Sequence, residues 1–213
     1  MSKGVLYILI ASFFFAIING LVKFLDGIPA IEIVFFRSLV TLILSGTMVL
    51  KLKTTIFPKE TPLLLARGAA GGIALILYFN SIHIMPLATA VTILYLAPIF
   101  TLIFSIFLLK ESPNPKQWPF VFLCFVGIIL MKNFDERVPI NGVIMATVAA
   151  MFAGLAYNII RKLKGKADPQ LVIFYFPLVT IPLCIPWLIE SWITPDPKNL
   201  VLLILVGVFT QLA

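Results

Sequence analysis

The sequence predicts an all-α integral membrane protein: a polytopic helical bundle built from an inverted repeat of five transmembrane helices, with the second copy incomplete. Three observations predict it: a strongly apolar composition, apolar runs of bilayer-spanning length, and self-similarity at a nearly constant offset. Of 213 residues, 61% are apolar and only 12% charged, and mean hydropathy is +1.11, against roughly 25% charged residues in an ordinary soluble domain. That composition excludes a soluble globule. Spans of about 20 residues joined by connections of about 6 divide the chain into about eight units, leaving no room for a soluble domain.

The apolar runs cover residues 4–24, 30–50, 63–84, 87–109, 117–132, 140–161, 170–190 and 199–213. The first is longer than the 7 to 15 residues of a signal-peptide core and reads as a retained helix. Turn chemistry separates the others, at Asp26 to Pro29, Pro58 to Pro62, Met85-Pro86, Ser112 to Pro115, Pro139, Asp168-Pro169 and Pro195 to Pro197. The runs are continuous rather than alternating, which argues against membrane strands. Pro98 lies inside the fourth run, and Pro177, Pro182 and Pro186 predict an irregular seventh helix. The eighth run, about 15 residues to Ala213, is short for a crossing.

Charge sets the orientation. With the N-terminus in the cytoplasm, eleven Lys and Arg fall on the inner side, including Lys51, Lys53, Lys59, Arg67, Lys110, Lys164 and Lys166. Four, namely Lys23, Lys132, Arg137 and Lys198, fall outside, and Arg37 lies within a span. The imbalance predicts a multi-pass protein of the cytoplasmic (inner) membrane with its N-terminus inside. The formal charge of +7 is explained by these short loops, so nucleic acid is not an expected partner; the bilayer and a small-molecule substrate are. Cys124 and Cys184 both lie inside apolar runs, and His83 is the single histidine. This pattern supplies neither a disulfide framework nor a metal cluster, and no cofactor is expected.

The chain also resembles itself. At an offset of 138, Gly4-Val5 matches Gly142-Val143, Phe14 matches Phe152 and Lys23 matches Arg161. After one inserted residue, at 139, Phe35 falls on Phe174, Leu39-Val40-Thr41 on Leu178-Val179-Thr180, and Gly68 on Gly207. The first copy (1–137) holds five spans, an odd number, so the second (138–213) enters the membrane upside down. Inverted repeats of this kind are an architecture of secondary transporters, with the substrate between the halves. By the same register Ala213 corresponds to Ala74, and the chain reads as cut in its eighth helix, with a complete protein expected to carry two more. A homodimer supplying the missing helices is the alternative to a longer chain.

Particular stretches then resemble the drug/metabolite transporter superfamily, in its EamA-type ten-helix branch. They are Ala11 to Ala16 through Lys23, Phe35-Phe36-Arg37, Leu77 to Ala88, Leu94 to Phe100, Leu108 to Glu111, and Gly127-Ile128. The resemblance covers essentially the whole chain and implies a central cavity enclosed by two halves, but it identifies no substrate.

Polar residues inside the spans are the candidates for substrate contact. Arg37 reads as an anion contact, or as the structural partner of Glu32, of Asp26 or of a group on another helix. Gly68, Gly72, Ile76, Asn80 and His83 share one face of the third helix. The lower part of that stripe reads as small-residue packing, and its upper part aims Asn80 and His83 at the neighbouring space. His83 suits either proton coupling or a helix-end cap. Thr92 and Tyr95 recur at three-residue spacing before Pro98, whose missing N–H frees a carbonyl, a feature tolerated where a cavity is lined. Asn19 and Tyr157 are repeat equivalents, Asn158 lies beside the latter, and Gln211 is polar in the last run; helix-to-helix hydrogen bonding is the alternative role. No G-x-x-x-x-G-K-[ST] motif supplies ATP drive, and mid-span carboxylates for an intramembrane enzyme are lacking. The expected function is secondary transport of a small metabolite such as an amino acid. A non-transporting or half-assembled membrane protein is the alternative.

Overall fold

A computed structural model describes residues 3–25, 27–51, 55–112, 114–134 and 137–213, with helical placement alone for residue 3 and for 131–134. Asp26, Lys53 and Asp135 therefore lie outside the described residues. The described chain is all-helical: α1 (Lys3–Phe24), α2 (Ala30–Val49), α3 (Thr61–Ile84), α4 (Leu87–Leu94), α5 (Ala97–Leu108), α6 (Trp118–Phe134), α7 (Ile140–Leu163), α8 (Pro169–Ser191) and α9 (Pro197–Leu212). A single 3-10 turn, Pro115–Gln117, leads into α6. Six spans are long and apolar enough to cross a bilayer, counting α4 with α5 as one, and two further apolar helices are shorter.

The boundaries follow local chemistry. Asp168 and Asp196 cap α8 and α9 by accepting the backbone N–H of Gln170 and Asn199 at 2.8 and 2.9 Å. Proline stands in the first turn of each, where its missing donor costs nothing. Gly165, at φ +75°, makes the turn that ends α7. The fourth span breaks where Pro98 predicts: α4 stops at Leu94, and Tyr95 and Leu96 turn the chain into α5.

The seventh span departs from expectation. Helix α8 runs unbroken through Pro177, Pro182 and Pro186. Each proline removes one donor; Pro177 is buried, whereas Pro182 and Pro186 are exposed, and the helix as a whole packs against α2 and α3.

Helix α3 lies against both α7 and α8, α2 lies against both α8 and α9, and α1 rests chiefly on α9. With lipid outside, hydrophobicity does not drive these contacts; close backbone approach does. A Cβ added at Gly68 would stand 2.9 Å from the Tyr175 carbonyl oxygen and from Val179, and one at Gly207 would stand 2.5 Å from the Val40 Cβ. These two crossings are reciprocal under the offset of 139, since Gly68 and Gly207 correspond, as do Val40 and Val179. The helix pairs reciprocate as well: α3 with α8 answers α9 with α2, and α3 with α7 answers α9 with α1. At a third crossing, Gly154 brings α7 onto α5, where an added Cβ would meet Thr101 N at 2.8 Å and Ala97 O at 2.9 Å.

Candidate functional site

Two charged side chains of α2 are buried, Glu32 and Arg37, the latter seven residues into the helix and about 10 Å along its axis. The residual exposure of Arg37 is 8%. The side chain does not pair with Glu32. That carboxylate, fully buried, accepts the Ile193 backbone N–H at 3.1 Å through Oε2, tying α2 to the segment before α9. Arg37 instead donates from Nε to Thr210 Oγ1 on α9 at 2.7 Å. The Thr210 hydroxyl is itself fixed by donating to the Val206 carbonyl at 2.7 Å. The guanidinium lies 5.7 Å from the Phe176 ring centroid on α8 and 5.8 Å from that of Phe79 on α3, within cation–π range. Four helices thus meet at one side chain.

The sequence counts Arg67, inside the run 63–84, among the inner-side charges that set orientation; the structure adds where its side chain goes. Arg67 is six residues inside α3, about 9 Å from its start, with its guanidinium 4.8 Å from the same Phe176 ring. Its Nε and Nη1 and the Nη1 of Arg37 are buried without a hydrogen-bond partner. Each buried donor left unmade costs about 1–3 kcal/mol, more when charged. Gly71 makes room for the group: a Cβ there would stand 2.9 Å from the Phe176 ring and 3.2 Å from Arg67 Nη1. Position alone hid Arg67, because a residue near a helix end in a basic loop region reads as an orientation signal; its helical spacing of four from Gly71 was the available clue.

The other candidates divide into two groups. Asn19 accepts from the Tyr78 hydroxyl at 3.1 Å, joining α1 to α3. Tyr78 is buried and its ring lies 6.0 Å from that of Phe79, so Asn19, Tyr78, Phe79 and Arg37 form one line of contacts. Tyr95, at the α4–α5 break, is 74% exposed and lies in electrostatic range of Tyr78. Tyr157, half-exposed on α7, lies in the same range of Arg67.

The second group is turned to helix structure. The Asn80 amide donates to the Ile76 carbonyl of its own helix at 2.8 Å, and Thr92 does likewise to Ala88. Asn158 is fully buried and donates to the carbonyls of Thr101 at 2.8 Å and Gly154 at 3.0 Å, locking α7 to α5. At the end of α3 the Lys23 ammonium donates to the Ile82 carbonyl at 3.0 Å and the His83 carbonyl at 3.5 Å. The Gln211 amide reaches Met48 Sδ at 3.9 Å. Among the described residues no group of His, Cys, Asp and Glu is placed to hold a metal ion.

Comparison with known proteins bears on this arrangement. Residues 2–132 match the EamA-like transporter family. The chain is 30% identical over 215 residues to a protein of Pseudomonas aeruginosa named pseudopaline exporter CntI, covering all of this chain and 76% of that one. It is 28% identical over 232 residues to solute carrier family 35 member G1 of Mus musculus, covering 98% of this chain and 62% of the relative. A protein of Rickettsia prowazekii named S-adenosylmethionine uptake transporter matches at 28% over 129 residues, 58% of this chain and 42% of its own length.

Proposed function

Because the chain belongs to the EamA-like transporter family, within the drug/metabolite transporter superfamily, we propose that it moves a small polar metabolite, such as an amino acid, across the cytoplasmic membrane by alternating access. The observation that carries this reading is Arg37. An ionisable side chain buried at the crossing of α2, α3, α8 and α9 is expensive in a bilayer and marks a substrate pathway by default.

Residues 1–137 form one five-helix copy and 138–213 the matching part of an inverted second. The reciprocal contacts Gly68 on Val179 and Gly207 on Val40 support this division, because an approximate two-fold axis through the centre makes each half the other's packing partner. Rocking one half against the other about these glycine crossings opens the Arg37 region first to one side and then to the other. The α4–α5 break at Tyr95 and Leu96 supplies a second point of flexure beside Tyr78. The N-terminus faces the cytoplasm. The chain has no P-loop, so a solute or ion gradient drives the cycle.

Flux into proteoliposomes tests the reading. A panel of labelled amino acids and small carboxylates is offered to vesicles with and without the protein, and at least one solute is expected to enter well above the protein-free rate. Asn19→Ala and Tyr95→Ala are expected to lower that rate several-fold with insertion intact. No flux of any solute above the control contradicts transport. Orientation is read separately: Asp196→Cys reacts with an impermeant thiol reagent from outside and Lys164→Cys does not.

A further inference from the structure

We propose that Arg37 and Arg67, gathered on the ring of Phe176, form the subsite for an anionic oxygen group, carboxylate or phosphate, of the transported solute. This inference rests on the transporter reading above and names the solute's chemical class.

Four observations carry it. Both guanidiniums lie within cation–π range of one ring, at 5.7 and 4.8 Å, so two positive charges share one buried locus and are close enough to repel one another. No carboxylate pairs with either of them among the described residues, where the ion pair formed is the exposed Arg161–Glu111. Three of their nitrogens, Nη1 of Arg37 and Nε and Nη1 of Arg67, are buried with no acceptor. Finally, the locus is built: Gly71 leaves the space that Phe176 and Arg67 Nη1 fill, and Thr210 holds Arg37 by Nε, leaving Nη1 unengaged.

A purely structural arginine would spend its donors on carbonyls or snorkel to the interface. Arg67, near its helix end, could take that path, yet two of its nitrogens are buried. Like charges held together in a medium of low dielectric call for a negative group. Guanidinium donors suit planar, multi-oxygen anions such as carboxylate and phosphate. Phe176 keeps both cations oriented while the subsite is empty, and an arriving anion supplies the missing acceptors and removes the repulsion.

The test is thermal unfolding of the purified full chain in neutral detergent, titrated with citrate, with inorganic phosphate, and with choline chloride at matched ionic strength. Citrate, phosphate or both are expected to raise the unfolding temperature beyond the choline chloride control, and Arg67→Met and Arg37→Met to raise the half-effective concentration at least ten-fold. Arg67→Met without ligand is expected to unfold no lower than the parent, because it removes repulsion and two unsatisfied donors; a structural arginine would give a drop. An anion effect equal in parent and variants, or no greater than the control, overturns the proposal. Stabilisation by phosphatidylglycerol in mixed micelles with neither free anion effective also overturns it, by assigning the subsite to lipid. Anion binding lost in the variants, together with no solute flux in any vesicle, would sink the transporter reading and leave the subsite standing. Flux unaffected by Arg67→Met would do the reverse.

Discussion

Two crossings that correspond under the offset of 139 behave alike in one respect and differently in another. At Gly68 on Val179 and Gly207 on Val40 the packing is the same: a glycine of one half receives a valine of the other. One turn away the correspondence keeps its geometry and loses its chemistry. Thr41 donates to the Arg37 carbonyl at 2.9 Å, and its counterpart Thr180 donates to the Phe176 carbonyl at 2.8 Å. Yet the position that is Arg37 in α2 is Phe176 in α8, and the position that is Gly71 in α3 is Thr210 in α9. Arg37 meets Thr210 while Phe176 meets Gly71. Close packing requires small residues in both halves, whereas a bound solute has no two-fold symmetry. The shared part packs the helices, and the departure from symmetry is where we propose that recognition resides.

This comparison can be broken at its glycines. Gly68→Leu and Gly207→Leu are each expected to lower stability by about 1–3 kcal/mol, the usual cost of overpacking, and by similar amounts in denaturant unfolding from micelles. A large loss at one with none at the other would end the equivalence. Asn158 sharpens it next. It locks α7 to α5, away from the asymmetric locus, so Asn158→Leu should cost about 0.6 to 1.7 kcal/mol in the same assay and leave solute affinity unchanged. Removing the single hydroxyl in Tyr78→Phe should cost about 0.6 kcal/mol, with a few-fold loss of flux because Tyr78 is in line with Arg37. Smallest is Glu111→Gln. Its partner Arg161 is 47% exposed and Glu111 43%, and screening of such a pair leaves less than about 0.5 kcal/mol.

Much of the fold was legible because membrane helices advertise themselves by length and apolarity, and because the glycine register survives in the sequence. The α4–α5 break was legible from Pro98, since a missing donor has a local consequence. The continuity of α8 was not, because three prolines argue locally for an irregular helix, and the packing of α8 against α2 and α3 is reported by no local pattern. Arg37 could be singled out as a costly charge, but its partner could not: Thr210 is 173 residues away and neutral, while Glu32 and Asp26 were near in sequence and charged. Arg67 was masked by its place beside a basic loop. Asn158 looks the same in sequence whether it faces a cavity or ties two helices, and only the Thr101 carbonyl distinguishes them.

The central claim is that function resides where the two halves differ, and Arg37→Phe tests it most directly, since it makes the corresponding positions in α2 and α8 identical. The measurement is flux of the solute identified in proteoliposomes, taken beside helix content and unfolding temperature. The account predicts a chain that inserts and unfolds much as the parent does, with flux reduced at least ten-fold. Flux equal to that of the parent would contradict it.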